Sequence, residues 1–212
     1  GRWAPHHPRV RYLLGPPDSD VCAVVDPAWD VPALLQAAQA DGRRITHAFV
    51  THHHGDHTNG LVPLLEAQPV RVIAQRREVD QAPHLRALGD AITQVGPGDS
   101  VDVGGLSVQC LHTPGHTPGS QCLLCAGALV SGDTLFVGAC GRCDLPGGDA
   151  AKLWESLQRL KGLPQETVLY PGHDYGDVVS RTMSEEARLN PYLKVAEPEA
   201  FLELREGRKR VL

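Results

Sequence analysis

Thr51-His52-His53-His54-Gly55-Asp56-His57 places four histidines and one aspartate within seven residues. Neutral imidazole and carboxylate groups are both good ligands for zinc and iron. In an extended run, His52 and His54 point to one face by the period of two. Where the chain turns, Asp56 and His57 swing towards a second position nearby. One short segment is therefore able to serve one metal ion or two adjacent ones. The competing reading, a polar loop of solvated histidines, fits ordinary loop composition poorly. An HExxH helix is excluded, because no glutamate stands between histidines at that spacing.

Three further groups of the same chemical type lie downstream: His116 in Pro114-Gly-His-Thr-Pro-Gly119, Asp133 in Ser131-Gly-Asp-Thr134, and His173 in Tyr170-Pro-Gly-His-Asp-Tyr175. Alone, His116 reads as a satisfied or exposed histidine and Asp133 as a turn former. Together with the first stretch they share a position, each just after a predicted strand, where strand ends converge in an α/β protein.

The elements that must position them follow from periodicity and turn chemistry. Strands are predicted at Arg9 to Leu14, Val21 to Val25, Ile45 to Val50, Val70 to Ala74, Ser100 to Val103, Leu106 to Leu111, Gln121 to Cys125, Ala128 to Ser131 and Val168 to Tyr170. Ala126-Gly127 closes a hairpin. Helices are predicted at Val31 to Ala40, with Asp30 as N-cap and Pro32 in the first turn, and at Gly60 to Gln68. A third covers Ala150 to Leu160, with Leu153, Trp154, Leu157 and Leu160 on one face. A fourth covers 177–189. Residues 75–94 are polar and give no clear period, and Gly138 to Gly148 reads as a glycine-rich loop.

The 212 residues suffice for one domain with a sizeable core, spanning 1–212. Residues 1–8, which include His6 and His7, are expected to form an irregular tail, and 194–212 a C-terminal tail ending in a solvated run at Arg208-Lys209-Arg210. The 20 Lys and Arg against 25 Asp and Glu give a net charge of −5, which argues against a nucleic-acid partner. No apolar run approaches the ~20 residues of a membrane span. The chain starts at Gly1 and its one methionine is Met183. The natural start is therefore expected elsewhere, and a removed targeting segment stays open. Six cysteines in a chain of this size read as reduced thiols in a cytoplasmic setting. Two CxxC pairs, Cys122–Cys125 and Cys140–Cys143, raise a zinc-ribbon or redox alternative. An i, i+3 pair on a strand faces opposite sides, which counts against zinc at Cys122 and Cys125.

The four motifs, taken in order from about residue 20 to 193, resemble the metallo-β-lactamase superfamily, and most closely its glyoxalase II and persulfide dioxygenase branch. The resemblance implies a four-layer αββα sandwich with the metal site at one edge. It implies His52, His54 and His116 as ligands of a first metal, and Asp56, His57 and His173 as ligands of a second. Asp133 matches the bridging carboxylate. Asp56 and Asp133 are then the candidate catalytic carboxylates. His53 falls in a variable slot and is not expected to be a ligand. Asp26, in the early Asp-Pro, is expected to support the metal loop.

The branch offers two chemistries. The first is a hydrolase with two divalent ions, zinc or iron, that cleaves an S-acyl thioester such as a hydroxyacyl-glutathione with a metal-activated hydroxide. Arg142 then matches a basic residue for the glutathione carboxylate, with an internal ion pair to Asp144 as the competing reading, and Tyr175 matches a substrate contact. The second is a dioxygenase acting on glutathione persulfide, with one Fe(II) held by His52, His116 and Asp133. Cys140-Gly-Arg-Cys-Asp144 is similar to that branch's Cys-Gly-Arg-Thr-Asp, and Ser184 to Pro191 resembles its ending. The chain also stops without the long helical C-terminal domain of larger glyoxalase II enzymes. Gly132 to Phe136 and the loop up to Gly148 tip the reading towards compact hydrolases. The aspartate at 133 counts against β-lactam hydrolysis. A nuclease lacks its basic bias. A catalytically silent binding protein is disfavoured because the ligand set is complete. Oligomeric state is not legible.

Overall fold

A computed structural model describes residues 10–209. The first sheet runs in the order β1 (Tyr12–Leu14), β2 (Val21–Val25), β3 (Arg44–Val50), β4 (Arg71–Gln75), β5 (Ile92–Val95). Only β1 is antiparallel to its neighbour; β2 to β5 are parallel. Helices α1 (Val31–Ala40), α2 (Gly55–Thr58), α3 (Leu61–Ala67), α4 (Arg76–Gln81) and α5 (Pro83–Arg86) fill the connections between its strands.

The second half contributes β6 (Ser100–Val103), β7 (Leu106–His112), β8 (Gln121–Cys125) and β9 (Ala128–Gly132), the small β10 (Leu135–Phe136) and β11 (Ala139–Cys140), then α6 (Ala150–Lys161), β12 (Val168–Pro171) and β13 (Arg181–Thr182). Helices α7 (Met183–Leu189), α8 (Pro191–Lys194) and α9 (Pro198–Lys209) complete it. The sheet order is β13-β12-β9-β8-β7-β6, and β10 pairs with β11 separately.

Strand alternation builds the layers. In β2, Ala23 and Val25 face the second sheet, where they join Phe49, Ile73, Val108, Leu123 and Val130 in one buried core. Cys22 and Val24, on the opposite face, pack under α1 and α3 through Val31, Leu34, Leu61 and Leu64. On the far side, Cys122, Leu129 and Leu169 pack under α6 to α9 through Leu153, Leu157, Met183, Tyr192 and Phe201. Helix, sheet, sheet and helix are thus stacked around three apolar interfaces, which is the αββα sandwich expected.

Local chemistry sets the ends of the elements. Asp30 caps α1 by accepting from Ala33 N at 3.0 Å, with Pro32 in the first turn as expected. Ala126 and Gly127 both take positive φ, +45° and +77°, the geometry of a two-residue hairpin turn.

Several expectations need correction. The helix predicted over 177–189 begins only at Met183. Thr182 and Glu185 form a capping box there, and Arg181–Thr182 pair with β12 instead. The polar stretch 75–94, whose helix content the sequence leaves open, holds α4, α5 and the start of β5. The C-terminal tail expected from 194 contains α9, whose Phe201 is fully buried against Tyr192. Residues 1–8, with His6 and His7, and Arg210 of the basic run lie outside the described residues. No helix among the described residues is long and apolar enough to cross a membrane.

Candidate metal centre

Strand direction brings the predicted groups together. β2 and β3 are parallel, so Asp26 and the His52–His57 segment leave the same edge of the first sheet. β7 and β9 are both antiparallel to β8, and β12 is parallel to β9. The chain beyond β7, β9 and β12 therefore emerges together, carrying His116, Asp133 and His173. Contacts between the sheets close that edge: Gln121 donates from its backbone to Thr51 O at 2.9 Å and from its amide to Val50 O at 2.7 Å. Tyr12 donates its hydroxyl to Pro171 O at 2.7 Å.

Two groups of ligand-type atoms result. His52, His54 and His116 bring one atom each to within 4.8 Å of one another, and so do Asp56, His57 and His173. Asp133 lies between them. One of its oxygens is 3.3 Å from His57 Nε2; the other is 3.3 Å from His173 Nε2 and 3.9 Å from His116 Nε2. All seven predicted metal-ligand positions thus lie in one cluster. Asp26, His52 and His57 also converge, but Asp26 is engaged from behind. It accepts Thr51 N and Thr51 Oγ1 at 2.7 and 2.6 Å, and His57 Nδ1 at 2.8 Å. This is the support expected of it, and it holds its own backbone at φ +49°.

The rings are oriented by what holds their other nitrogens. His116 Nδ1 donates to Arg142 O at 2.6 Å, and His57 Nδ1 donates to Asp26. A carbonyl or carboxylate oxygen only accepts, so the proton is assigned to Nδ1 in both rings, and Nε2 faces inward. There His116 Nε2 lies 3.1 Å from His54 Nδ1, and His57 Nε2 lies 3.3 Å from His173 Nε2. His52 Nε2, Asp133 Oδ1 and His173 Nδ1 are buried without a hydrogen-bond partner. Buried polar atoms left this way are costly unless a cation or water answers them. Imidazole nitrogens and a carboxylate crowded together fit a divalent metal ion.

Electrostatics divide the groups. Burial and the neighbouring His57 push His52 well below the usual imidazole range, and burial with His116 nearby takes His54 down to about 4. Burial also lowers His116. Burial alone would lower His57, but Asp26 and Asp133 outweigh it and raise it to about 9. For Asp133, burial acts upward, yet the close His173 and His57 rings hold it well below the usual carboxylate range.

Close packing requires glycine at two points. A side chain at Gly141 would strike Asp133 O and approach His116 Nδ1, and one at Gly172 would stand 2.7 Å from Asp133 Oδ1. A cavity of about 560 Å³ opens above the groups, walled by Phe136, Leu145, Tyr175 and Arg142. Tyr175 stacks on His173 with centroids 5.0 Å apart. The Arg142 side chain is two-thirds exposed and makes a two-pronged pair with Asp144, at 3.0 and 3.2 Å. Both readings of Arg142 thus have a structural basis: it borders the cavity, and it is ion-paired.

The cysteine alternatives do not gather ligands. Cys122 and Cys125 face different cores, as the strand period required. No cysteine joins a candidate metal group among the described residues, and none of the six is in a disulfide. Two features went unread in the sequence. One is the apolar wall formed by Phe136 and Leu145. The other is Glu78, a fully buried carboxylate behind the His52–His54 segment.

Comparison with known proteins finds relatives in sequence and in structure. The chain is 39% identical over 168 residues to a hydroxyacylglutathione hydrolase of Rhodopseudomonas palustris, a match covering 77% of this chain and 62% of that enzyme. The chain thus spans about three fifths of that relative's length. Among solved structures, ETHE1 from Myxococcus xanthus superposes with a TM-score of 0.83 at 34% identity, covering 93% of this chain and 85% of that one. TTHA1623 in a di-iron-bound form superposes with a TM-score of 0.73 at 33% identity, covering 86% and 94%. The model of the metallo-beta-lactamase superfamily matches residues 11–173. On that match, and on the αββα fold, the chain belongs to the metallo-β-lactamase superfamily.

Proposed function

We propose that this protein is a metal-dependent hydrolase that cleaves an S-acyl thioester, with a small thiol-derived conjugate such as a hydroxyacyl-glutathione as substrate. In this reading His52, His54 and His116 hold one divalent ion, and Asp56, His57 and His173 hold a second. Asp133 is shared by both. The observation that carries the proposal is the position of Asp133, 3.3 Å from His57 and His173 and 3.9 Å from His116. Zinc or iron suits this donor set. When bound, the ions supply an acidified water and a Lewis acid for the carbonyl oxygen.

The chain's own groups do the rest. Asp26 and the Arg142 carbonyl hold the His57 and His116 rings with Nε2 inward. Asp56 and Asp133 give the site its negative charge. Phe136, Leu145 and Tyr175 wall a cavity in which an acyl chain is shielded from water. Arg142 stands at its rim, where a carboxylate of the thiol half is within reach of a guanidinium. A thiolate leaves readily, so no dedicated general acid is needed. A cytoplasmic, reducing setting suits the six thiols.

The second reading is a persulfide dioxygenase with one Fe(II) on His52, His116 and Asp133. The likeness to ETHE1 over 93% of the chain favours it. Metal analysis combined with oxygen uptake separates the two. The hydrolase holds close to two ions per chain and cleaves a glutathione thioester without consuming oxygen. One iron per chain, with oxygen consumed on glutathione persulfide, overturns it.

A further inference from the structure

His53 is the one histidine of the opening run that joins neither ligand group. Its ring turns the other way. His53 Nδ1 lies 3.0 Å from Glu78 Oε2, and its backbone N–H donates to Glu78 Oε1 at 3.3 Å. Glu78 sits on α4 with no exposed surface. The same Oε1 accepts the hydroxyl of Thr117. Thr117 is itself fixed by Ser120, whose Oγ lies 2.7 Å from the Thr117 hydroxyl and accepts its backbone N–H at 3.1 Å. Gly119 presses on the Arg77–Glu78 backbone so closely that a Cβ there would collide with it.

One buried carboxylate therefore ties two separate loops. It grips the residue between His52 and His54, and the residue next to His116. Those are the three members of the first group. A carboxylate out of water is expensive unless donors satisfy it, and three donors do so here. An apolar side chain would fill the same space at lower cost but would accept none of these bonds, leaving the two loops joined only by packing.

We propose that Glu78 is a positioning residue that sets the spacing of His52, His54 and His116, with His53 and Thr117 as its two handles. The proposal rests on the reading of these histidines as metal ligands. It assigns His53 a purpose that a ligand role does not give it. Outer partners of this kind typically account for about 10–100-fold in metal affinity.

The test is a stepwise cobalt(II) titration of the full chain, read by its visible absorption and by competition with a chelator. Thermal unfolding of the metal-free chain is followed in parallel. Glu78→Ala is expected to weaken one cobalt step by about 10–100-fold, leaving any second step within about threefold. Glu78→Gln, which keeps an oxygen acceptor, recovers part of the loss. His53→Ala and Thr117→Val each weaken the same step. Neither adds its full effect to Glu78→Ala, because groups acting through one partner are not additive. Unchanged affinity in Glu78→Ala overturns the proposal, as does equal weakening of both steps. Full additivity of the handle variants overturns it as well. Should Glu78→Ala not fold, His53→Ala and Thr117→Val decide the matter, and unchanged affinity in both overturns it. If the parent chain binds no cobalt, the metal-centre reading itself falls and takes this proposal with it. A parent that binds cobalt while the variants do not respond sinks the proposal alone.

Discussion

The two groups of ligand-type residues on either side of Asp133 both draw on histidine but differ in charge. His52, His54 and His116 are three imidazoles with no carboxylate of their own. Burial keeps each of them below its usual basicity, His54 at about 4. Asp56, His57 and His173 include a carboxylate, and Asp26 stands behind His57 at 2.8 Å. A divalent ion in the first group would find negative charge only in Asp133. One in the second would find it also in Asp56, and through His57 in Asp26. The buttresses differ in the same way. Asp26 bonds directly to a member of the second group, whereas Glu78 holds the first group through His53 and Thr117, which flank its members. The first group is thus neutral, and the second is charged.

Asp133→Ala should have the largest effect, because it removes the charge that both groups share. Metal content is expected to fall well below one ion per chain. Activity should drop about a thousandfold or more, as several kcal/mol of metal assistance are lost at 1.36 kcal/mol per tenfold. Elemental analysis and a thioester assay check it. Retention of both ions in the variant would mean that Asp133 is not shared.

Asp56→Ala separates the groups. If both are loaded in the active protein, content falls to about one ion per chain and thioester cleavage falls about 100-fold or more, since the two-ion clamp is broken. If only the first group works, on iron, then oxygen uptake on glutathione persulfide stays within about twofold of the parent. The same variant therefore gives opposite results under the two chemistries.

How much of this contrast the sequence showed depends on where the information lay. The His52–His57 run, His116, Asp133 and His173 are motif residues at strand ends, and the αββα layering follows from strands whose apolar faces alternate. Both were legible. Glu78 was not. It lies in a six-residue helix that breaks at Ala82 before Pro83, and a second helix of four residues follows. Neither is long enough to display a 3.6-residue period. Glu78, Val79, Ala82 and Leu85 are all buried. A carboxylate among residues that turn out buried was the available sign. The late start of α7 was also written in the sequence, as Thr182 and Glu185 three residues apart, the signature of a capping box. For α9 the sign was thin. Phe201 and Leu204 are an i, i+3 apolar pair among charged residues, and only the receiving surface of Tyr192, Met183 and Leu193 makes them core.

Asp26→Asn tests the charged group from behind. The amide still offers one oxygen to Thr51, but it cannot accept from both the Thr51 hydroxyl and the His57 ring where Oδ2 now does. His57 loses the partner that fixes its orientation and strengthens it as a ligand. Metal affinity of the second group should fall about 10–100-fold, with the first group less affected. Chelator competition on the loaded protein measures this, and equal weakening of both groups would erase the contrast between them.

Arg142→Ala should have the smallest effect, and it tests whether the first group's loop also reads the substrate. The residue has two separable parts. Its carbonyl accepts from His116 Nδ1 at 2.6 Å and so orients a member of the first group. Its guanidinium lies outside, two-thirds exposed, paired with Asp144. Alanine keeps the carbonyl and removes the side chain beyond Cβ, guanidinium included, so metal content and kcat should stay near those of the parent. Exposed ion pairs contribute only about 0.2–1 kcal/mol, so the melting temperature should barely move. If the guanidinium also binds a substrate carboxylate, KM for an anionic thioester rises about tenfold, the scale of one hydrogen bond to a charged group. KM for an uncharged thioester stays fixed. Asp144→Ala supplies the opposite perturbation. It releases Arg142 from its partner, and should lower KM for the anionic substrate if Asp144 and the substrate compete for the same two prongs. Constant KM in both variants would make the pair a purely internal contact, and the loop would serve the first group through its backbone alone.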